Sequence, residues 1–263
     1  MSKKQRASKK EPVNKVDEVK KDRSPKIPQR DKLKQELTIF HREDITERQK
    51  EFLKIILDKK TNVVFLKGAS GTSKTWLSVY AGLISLSNKL QSDILFIRAP
   101  VEVGKSIGHL PGTEQEKINA YLVPLYDKVE ELIPRGEAEM LLKDNRLAGT
   151  VPNFLRGQNW NARFVIVDEA QNMDPASMKV IISRLGRYGK LIILADENQA
   201  DLKGSVEFMR YFDLFNNDES KEYGIHCLSF KREDIVRSPI LGYILDKVEG
   251  VYSPPTKQIQ SRV

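Results

Sequence analysis

The sequence predicts an α/β fold with a mostly parallel sheet and helices on both of its faces. From Ile39 onward, short apolar runs alternate with segments whose apolar residues recur at helical spacing. This alternation is typical of a parallel sheet built from strand–helix–strand units. A glycine-rich turn, GASGTSKT (68–75), also joins the first apolar run directly to a helical segment, as in phosphate-binding strand–loop–helix motifs.

The predicted elements can be followed in order along the chain. The first helix begins near Thr46, where TERQKEFLKIILDKK carries its apolar residues on one helical face. Residues 99–162 are too long for a simple connection and contain several glycines, so we expect an insertion that forms a working surface. Strands are predicted at 63–67, 93–98, 163–167, 190–195 and 225–230, and further helices at 74–88, 114–132, 175–185, about 205–215 and about 238–248.

Composition divides the chain into a basic tail (1–38), a globular domain (39–250) and a short flexible end (251–263). The net charge is +8, and residues 1–34 hold 13 Lys and Arg against 5 Asp and Glu, whereas the remainder holds 31 of each sign. The tail has no aromatic residue and few apolar ones, so it cannot bury enough surface to offset the entropy of ordering. We therefore predict a disordered tail that contacts nucleic acid only through phosphates. A solvated tail that aids solubility is the alternative.

Some classes of protein are disfavoured by the sequence. No apolar run approaches the roughly 18 residues that a membrane-spanning helix needs, and the N-terminus lacks the apolar segment of a secretory signal. We therefore expect a cytoplasmic protein that does not contact a membrane. The single cysteine, Cys227, excludes an intramolecular disulfide.

The glycine-rich turn is similar to the phosphate-binding pattern G-x-x-x-x-G-K-[ST]. Lys74 and Thr75 are in register with it, where they would contact the β- and γ-phosphates and Mg²⁺, but Ser73 replaces the second glycine. A serine there costs roughly 1 kcal/mol if its φ is positive. A plain strand–turn–helix connection is the alternative. The predicted nucleotide-binding loop comprises Gly68, Ala69, Ser70, Gly71, Thr72, Ser73, Lys74 and Thr75.

Two carboxylates follow the apolar run FVIV, in FVIVDEAQN (164–172). They are expected at the carboxyl end of a buried strand, where ligands bind in open α/β sheets. Asp168 would hold the metal through water, and Glu169 would polarise the attacking water. The alternative is an ordinary helix start, with Asp174 as its cap.

Three further residues are candidates for the same edge of the sheet. Gln199, in LIILADENQ, could sense the γ-phosphate, and Arg232 or Arg237 could stabilise charge in phosphoryl transfer. Gln49 lies one helix before the loop, where its amide could contact adenine. The spacing of Thr46 and Gln49 equally predicts a capping box.

With these residues in place, the sequence resembles the PhoH family of ATPases from about Thr46 to Val248. Family members have a RecA-like P-loop NTPase core and are linked to RNA. This chain departs from the family's usual pattern at Ser73, at Ala99 between Arg98 and Pro100, and at Ala195. The motifs that carry the resemblance are TERQKEFL, GASGTSKT, RAPVEVGKSIGHLPGTEQEKINAYLVPLYD, FLRGQNW, FVIVDEAQN, LADENQADL and EDIVRSPI.

The resemblance implies ATP and Mg²⁺ as cofactors, with Gln49 at adenine, Gln199 as the γ-phosphate sensor and Arg237 as the candidate arginine. We therefore expect an ATPase that acts on RNA or single-stranded nucleic acid. We also expect a homo-oligomer, for which a hexameric ring is one arrangement, in a host cytoplasm if the chain is phage-encoded. The alternative is a catalytically weak protein that binds nucleic acid through its tail. The candidate nucleic-acid contacts are Arg98, Lys105, Lys117 and Arg156.

Overall fold

The computed structural model describes residues 33–99, 114–152, 155, 159–196 and 203–235, with 243, 244 and 247. These residues form one parallel sheet with helices on both faces. The strands are β1 (Val63–Lys67), β2 (Asp93–Arg98), β3 (Leu147–Thr150), β4 (Arg163–Asp168), β5 (Lys190–Ala195) and β6 (Ile225–Ser229). The helices are α1 (Glu47–Leu57), α2 (Lys74–Ser87), α3 (Glu114–Leu132), α4 (Arg135–Lys143), α5 (Pro175–Ser183), α6 (Lys203–Phe215) and α7 (Asp218–Glu222).

The strand order is β3-β2-β4-β5-β1-β6, and every pairing between neighbours is parallel. This confirms the predicted α/β class. The order has a consequence that the sequence does not show. β1, which precedes the glycine-rich loop, and β4, which precedes the two carboxylates, are separated by β5. The loop and the carboxylates therefore face each other across the end of an intervening strand.

Alternate residues of the buried strands supply two hydrophobic cores, one on each face of the sheet. In β1, Val64 and Leu66 belong to the core beneath α1, α2, α3 and α4, whereas Val63 and Phe65 belong to the core beneath α5 and α6. Strands that are buried on both faces appear in the sequence as continuous apolar runs. This explains why β1, β2 and β5 occupy the predicted residues.

Three elements were not predicted: β3, α4 and α7. β3 has the sequence LAGT, which is short and lacks an apolar run. A Cβ on Gly149 would lie 1.9 Å from Cδ2 of Leu122 in α3, so the strand needs a glycine where this helix crosses it. All three elements lie in or beside connections that sequence patterning describes poorly. The predicted helix at 238–248 lies largely outside the described residues.

Residues that precede the predicted start of the globular domain pack against its core. Leu33 and Leu37 are 4% and 8% exposed and belong to the core beneath α2. The Leu37 backbone N–H also donates to the Ser87 hydroxyl at the end of α2, at 2.9 Å. Residues that composition assigned to the tail therefore contribute to the core.

Candidate nucleotide-binding site

A cleft of about 370 Å³ lies at the carboxyl ends of β1, β4 and β5. In a parallel α/β sheet this edge is where ligands bind. The cleft contains most of the phosphate loop and both predicted carboxylates. Its lining residues are Arg42, Ser70, Gly71, Ser73, Lys74, Thr75, Trp76, Lys128, Glu131, Asp168, Glu169, Gln171, Leu194, Ala195 and Asp196.

The backbone of the loop adopts the conformation that its glycine pattern requires. Gly71 has φ 87°, and Ser73 has φ 62° and ψ 23°, in the left-handed region. Ser73 is also the N-cap of α2, but its side chain makes no capping hydrogen bond. Because the φ of Ser73 is positive, the predicted cost of having a Cβ at this position applies, at roughly 1 kcal/mol of folding free energy.

Hydrogen bonds inside the loop hold this conformation. The Thr72 hydroxyl donates to the Ala69 carbonyl at 2.8 Å, and the Lys74 amine donates to the Gly68 and Ala69 carbonyls at 2.5 and 2.9 Å. Gly68 has no space for a side chain, since a Cβ there would lie 2.9 Å from the Cβ of Phe230. These contacts restrict the backbone of the loop around Ser73, so the serine keeps its strained conformation.

The phosphate loop forms one wall of the cleft, and the residues at the end of β4 form the opposite wall. The Thr75 hydroxyl, at the start of α2, donates to Oδ1 of Asp168 at 3.1 Å, across the end of β5. Asp168 is 5% exposed. Burial raises its pKa to about 6, the neighbouring Glu169 adds to the rise, and Arg98, Thr75 and Lys74 oppose it. Asp168 is therefore a buried carboxylate whose charge the surrounding protein only partly balances.

Glu169 is, with Ser73, one of two non-glycine residues among those lining the cleft that have a left-handed backbone, with φ 56°. Two side chains hold its carboxylate. The Gln171 amide donates to Oε2 at 2.5 Å, and the Arg98 guanidinium lies 3.6 Å from Oε1. Gln171 is fully buried, and its own oxygen accepts from the Asp196 backbone N–H at 3.1 Å. It links the ends of β4 and β5.

Sequence reasoning missed the role of Gln171, which lies in the motif FVIVDEAQN. It stands two residues after Glu169, so its amide is close enough along the chain to reach back to that carboxylate. Its second partner lies on another strand, so the link to Asp196 could not be predicted from sequence spacing.

Gln49 forms the capping box that was the alternative to its role at adenine. The Thr46 backbone N–H donates to its side-chain oxygen at 3.0 Å, and Thr46 in turn caps α1. The Gln49 amide nitrogen donates to the Thr72 carbonyl at 3.2 Å and to the Asp234 carbonyl at 2.8 Å. The side chain is fully buried. Contact with adenine stays a prediction.

The remaining predicted residues fall into two groups. Arg98 ends β2, and Arg232 begins a short 3-10 turn at Arg232–Asp234. Lys117 lies on α3, but its side chain is outside the described part of the molecule. The other four predicted residues, Gln199, Arg237, Lys105 and Arg156, also lie outside the described residues.

The all-parallel strand order, with a glycine-rich loop after β1, carboxylates after β4 and one strand between the two, places the chain in the class of P-loop nucleotide-binding proteins. A family model described as PhoH-like protein matches residues 43–249. Curated relatives agree with this match. The chain is 33% identical over 196 residues to a PhoH-like protein of Bacillus subtilis, covering 72% of this chain and 58% of the relative. It is 31% identical over 196 residues to Protein PhoH of Escherichia coli, covering 74% and 54%.

The chain therefore belongs to the PhoH-like protein family, which confirms the resemblance inferred from its motifs. It spans between half and two thirds of the length of these relatives. Among solved structures, it is similar to the large terminase of a thermophilic bacteriophage in complex with ADP. That match has a TM-score of 0.48 and 12% identity, over 80% of this chain and 51% of the other. It is also similar to Pif1 helicase from Candida albicans, with a TM-score of 0.38 and 14% identity, over 80% and 45%.

No helix among the described residues is both long enough and apolar enough to span a membrane.

Proposed function

We propose that this protein binds and hydrolyses ATP in a Mg²⁺-dependent reaction coupled to RNA or single-stranded nucleic acid in the cytoplasm. One observation carries the proposal. The Thr75 hydroxyl and the Asp168 carboxylate come from separate elements yet lie 3.1 Å apart, beside the Lys74 amine at the phosphate loop. These are the three groups that a magnesium triphosphate requires.

The donor set fits Mg²⁺, which prefers oxygen ligands and retains several waters. Thr75 would hold the ion directly, and Asp168 would hold it through water. When bound, Mg²⁺ neutralises charge on the β- and γ-phosphates. Because burial raises the pKa of Asp168 to about 6, a neighbouring cation would favour the ionised carboxylate.

In this proposal the loop after β1 binds the phosphates, and the residues at the end of β4 act on the attacking water. Backbone N–H groups of the loop and the N-terminus of α2 bind the phosphates, and Lys74 contacts the β- and γ-phosphates. Glu169 accepts a hydrogen bond from the attacking water and polarises it. Gln171 positions Glu169 by bonding one of its carboxylate oxygens, and Gln199 and Arg237 complete the site as γ-phosphate sensor and arginine.

Coupling to nucleic acid is proposed through Arg98. Its side chain is 22% exposed and lies 3.6 Å from Glu169, so one residue could contact both a nucleic-acid phosphate and the residue that polarises water. A phosphate that draws Arg98 away would leave Glu169 a stronger hydrogen-bond acceptor. Lys105, Lys117 and Arg156 would extend the same surface.

We also propose that the protein works as a homo-oligomer. Helicase-like ATPases of this kind close two cores over one nucleotide, and the described residues form a single sheet. An arginine such as Arg237 or Arg232 would then reach the nucleotide of its own or the neighbouring subunit. Light scattering in the presence of Mg²⁺ and ATP tests this, and a strictly monomeric protein with full activity would contradict it.

The test of the proposed activity is hydrolysis of ATP by the native protein with Mg²⁺, with and without single-stranded RNA, beside Lys74→Ala. We expect turnover in the native protein that RNA increases, and a loss of about 100-fold or more in the variant. Arg98→Ala should lose the increase caused by RNA, whereas Arg135→Ala, an exposed arginine on α4, should keep it. Equal turnover in native protein and Lys74→Ala would overturn the proposal.

A second candidate function is favoured by the positive φ of Ser73, which weakens the loop, and by the basic tail. In this case the protein binds nucleic acid mainly through the tail and turns over slowly. A tail that neutralises about five phosphates would give a slope of log K against log salt near −3.5. Deleting residues 1–32, which spares the buried Leu33, would remove nearly all of that affinity, whereas a core ATPase would retain turnover that responds to RNA.

A further inference from the structure

The cleft continues beyond the phosphate loop into the outer layer of the molecule. There it is lined by Arg42, from the segment before α1, by Trp76 in the first turn of α2, and by Lys128 and Glu131 of α3. The groups proposed for hydrolysis, Asp168 and its neighbours, stand at the ends of the strands instead. A triphosphate that places its γ-phosphate at the strand ends would extend its nucleoside toward this outer part.

Arg42 presents a fixed, flat cation in the outer part of the cleft. Its guanidinium carbon lies 5.1 Å from the ring centroid of Trp76. Two hydrogen bonds from Arg42 to the Asp44 carboxylate, at 2.8 and 2.5 Å, orient the plane of the guanidinium. The Arg42 side chain nevertheless keeps 35% of its surface exposed.

Trp76 supports Arg42 and offers little surface of its own. It is 6% exposed, and its ring stacks on Tyr80 with centroids 5.2 Å apart and planes at 15°. A ligand in this part of the cleft would therefore contact the guanidinium more than the indole. Guanidinium planes stack on nucleobases as well as on aromatic rings, and this contact does not depend on which base is present.

Gln49 is poorly placed to recognise a base in this arrangement. Its side chain is fully buried, and its amide nitrogen donates to two backbone carbonyls, those of Thr72 and Asp234. To reach a ligand it would have to abandon both of these buried hydrogen bonds. Leaving the two carbonyls without donors would cost free energy.

We propose that the nucleobase stacks on the guanidinium of Arg42, backed by Trp76, with Lys128 and Glu131 beside its edge, and that Gln49 braces the phosphate loop. This inference rests on the proposed function, because it assigns the nucleoside half of the same ligand. It makes Arg42 a base-binding residue and Gln49 a positioning residue.

The experiment compares binding of Mg²⁺·ATP with binding of inorganic triphosphate, which has no base, by calorimetry on the full chain. Arg42→Ala should weaken ATP binding about 5- to 150-fold, the range for loss of one stacked base, and leave triphosphate binding unchanged. Arg42→Lys keeps the charge but not the plane and should show the same selective loss. Lys74→Ala should weaken both ligands, and Arg135→Ala, an exposed arginine that does not line the cleft, should weaken neither.

Unchanged triphosphate binding in the Arg42 variants also shows that their loop is folded. The proposal is overturned if Arg42→Ala binds ATP as tightly as the native protein does. It is equally overturned if that variant loses ATP and triphosphate to the same extent, since Arg42 would then act through the phosphates or the fold. A native protein that binds neither ligand would instead refute the proposed function, on which this inference depends.

Discussion

Ser73 and Glu169 occupy similar positions on the two walls of the cleft. Each stands at the start of a helical segment that follows a parallel strand, and each has a left-handed backbone, with φ 62° and φ 56°. Neither is a glycine, so each turn carries backbone strain on the order of 1 kcal/mol or more.

The two residues differ in how the side chain is used. The Ser73 hydroxyl makes no capping hydrogen bond, whereas the Glu169 carboxylate is held by Gln171 and faces Arg98. At Ser73 the backbone conformation is required by the phosphate loop and the side chain adds only cost. At Glu169 the strained turn fixes where the carboxylate that we propose polarises water stands. The two left-handed turns therefore differ in whether the backbone conformation also positions a side chain.

The largest expected effect comes from removing the positioned group. Glu169→Gln keeps the shape of the side chain but replaces the carboxylate proposed to polarise water with a neutral amide, so we expect turnover to fall by about 10²- to 10⁴-fold. ATP affinity should stay within a few-fold of the native value. Steady-state hydrolysis and ATP titration measure the two quantities, and Glu139→Gln, at an exposed position on α4, is the control. If Glu169→Gln turned over ATP at the native rate, Glu169 would have no role in hydrolysis, and its positioned side chain would not distinguish it from Ser73 in function.

Asp168, beside Glu169, also destabilises the fold, but through the burial of its charge and not through its backbone conformation. Its pKa is raised to about 6, so the folded protein favours the protonated carboxyl, and the cost of the ionised form is present above about pH 6. Without Mg²⁺ and nucleotide at pH 7, Asp168→Asn should stabilise the fold by ~1–3 kcal/mol. The gain should shrink as pH falls through about 6 toward 4. Urea unfolding measures it, with exposed Asp213→Asn as the control, and a destabilised variant at pH 7 would show that the buried charge is already compensated.

The smallest expected effect is at Ser73. Ser73→Gly should stabilise the fold by no more than about 0.5 kcal/mol, because the greater freedom of glycine in the unfolded chain offsets much of the relieved strain. It should also raise turnover or ATP affinity a few-fold. Lys89→Gly is a matched control, because Lys89 has φ 59° beyond the end of α2, away from the cleft. It should gain stability alone, and a loss of activity in Ser73→Gly would show that the serine has a use.

The sequence predicts the buried strands well and the cleft only in part. β1, β2 and β5 appear as apolar runs because both faces of each strand are covered, and the loop and carboxylates follow from their positions at the ends of such runs. β3 could not be predicted, because it contains Gly149, which is needed where α3 packs closely against the strand and which no local pattern requires. The link from Gln171 to Asp196 and the placement of Arg42 over Trp76 join residues that are distant in sequence or in different elements. No local pattern encodes them.

We propose that the loop presents ATP to Glu169 despite its strained serine. A single-turnover reaction in the presence of Mg²⁺, with native protein in excess over labelled ATP, tests this beside Glu169→Gln. We expect the native protein to convert the bound ATP to ADP and the variant to bind ATP and leave it uncleaved. If the native protein also retained bound ATP intact, Glu169 would not act on ATP, and this cleft would only bind nucleotide.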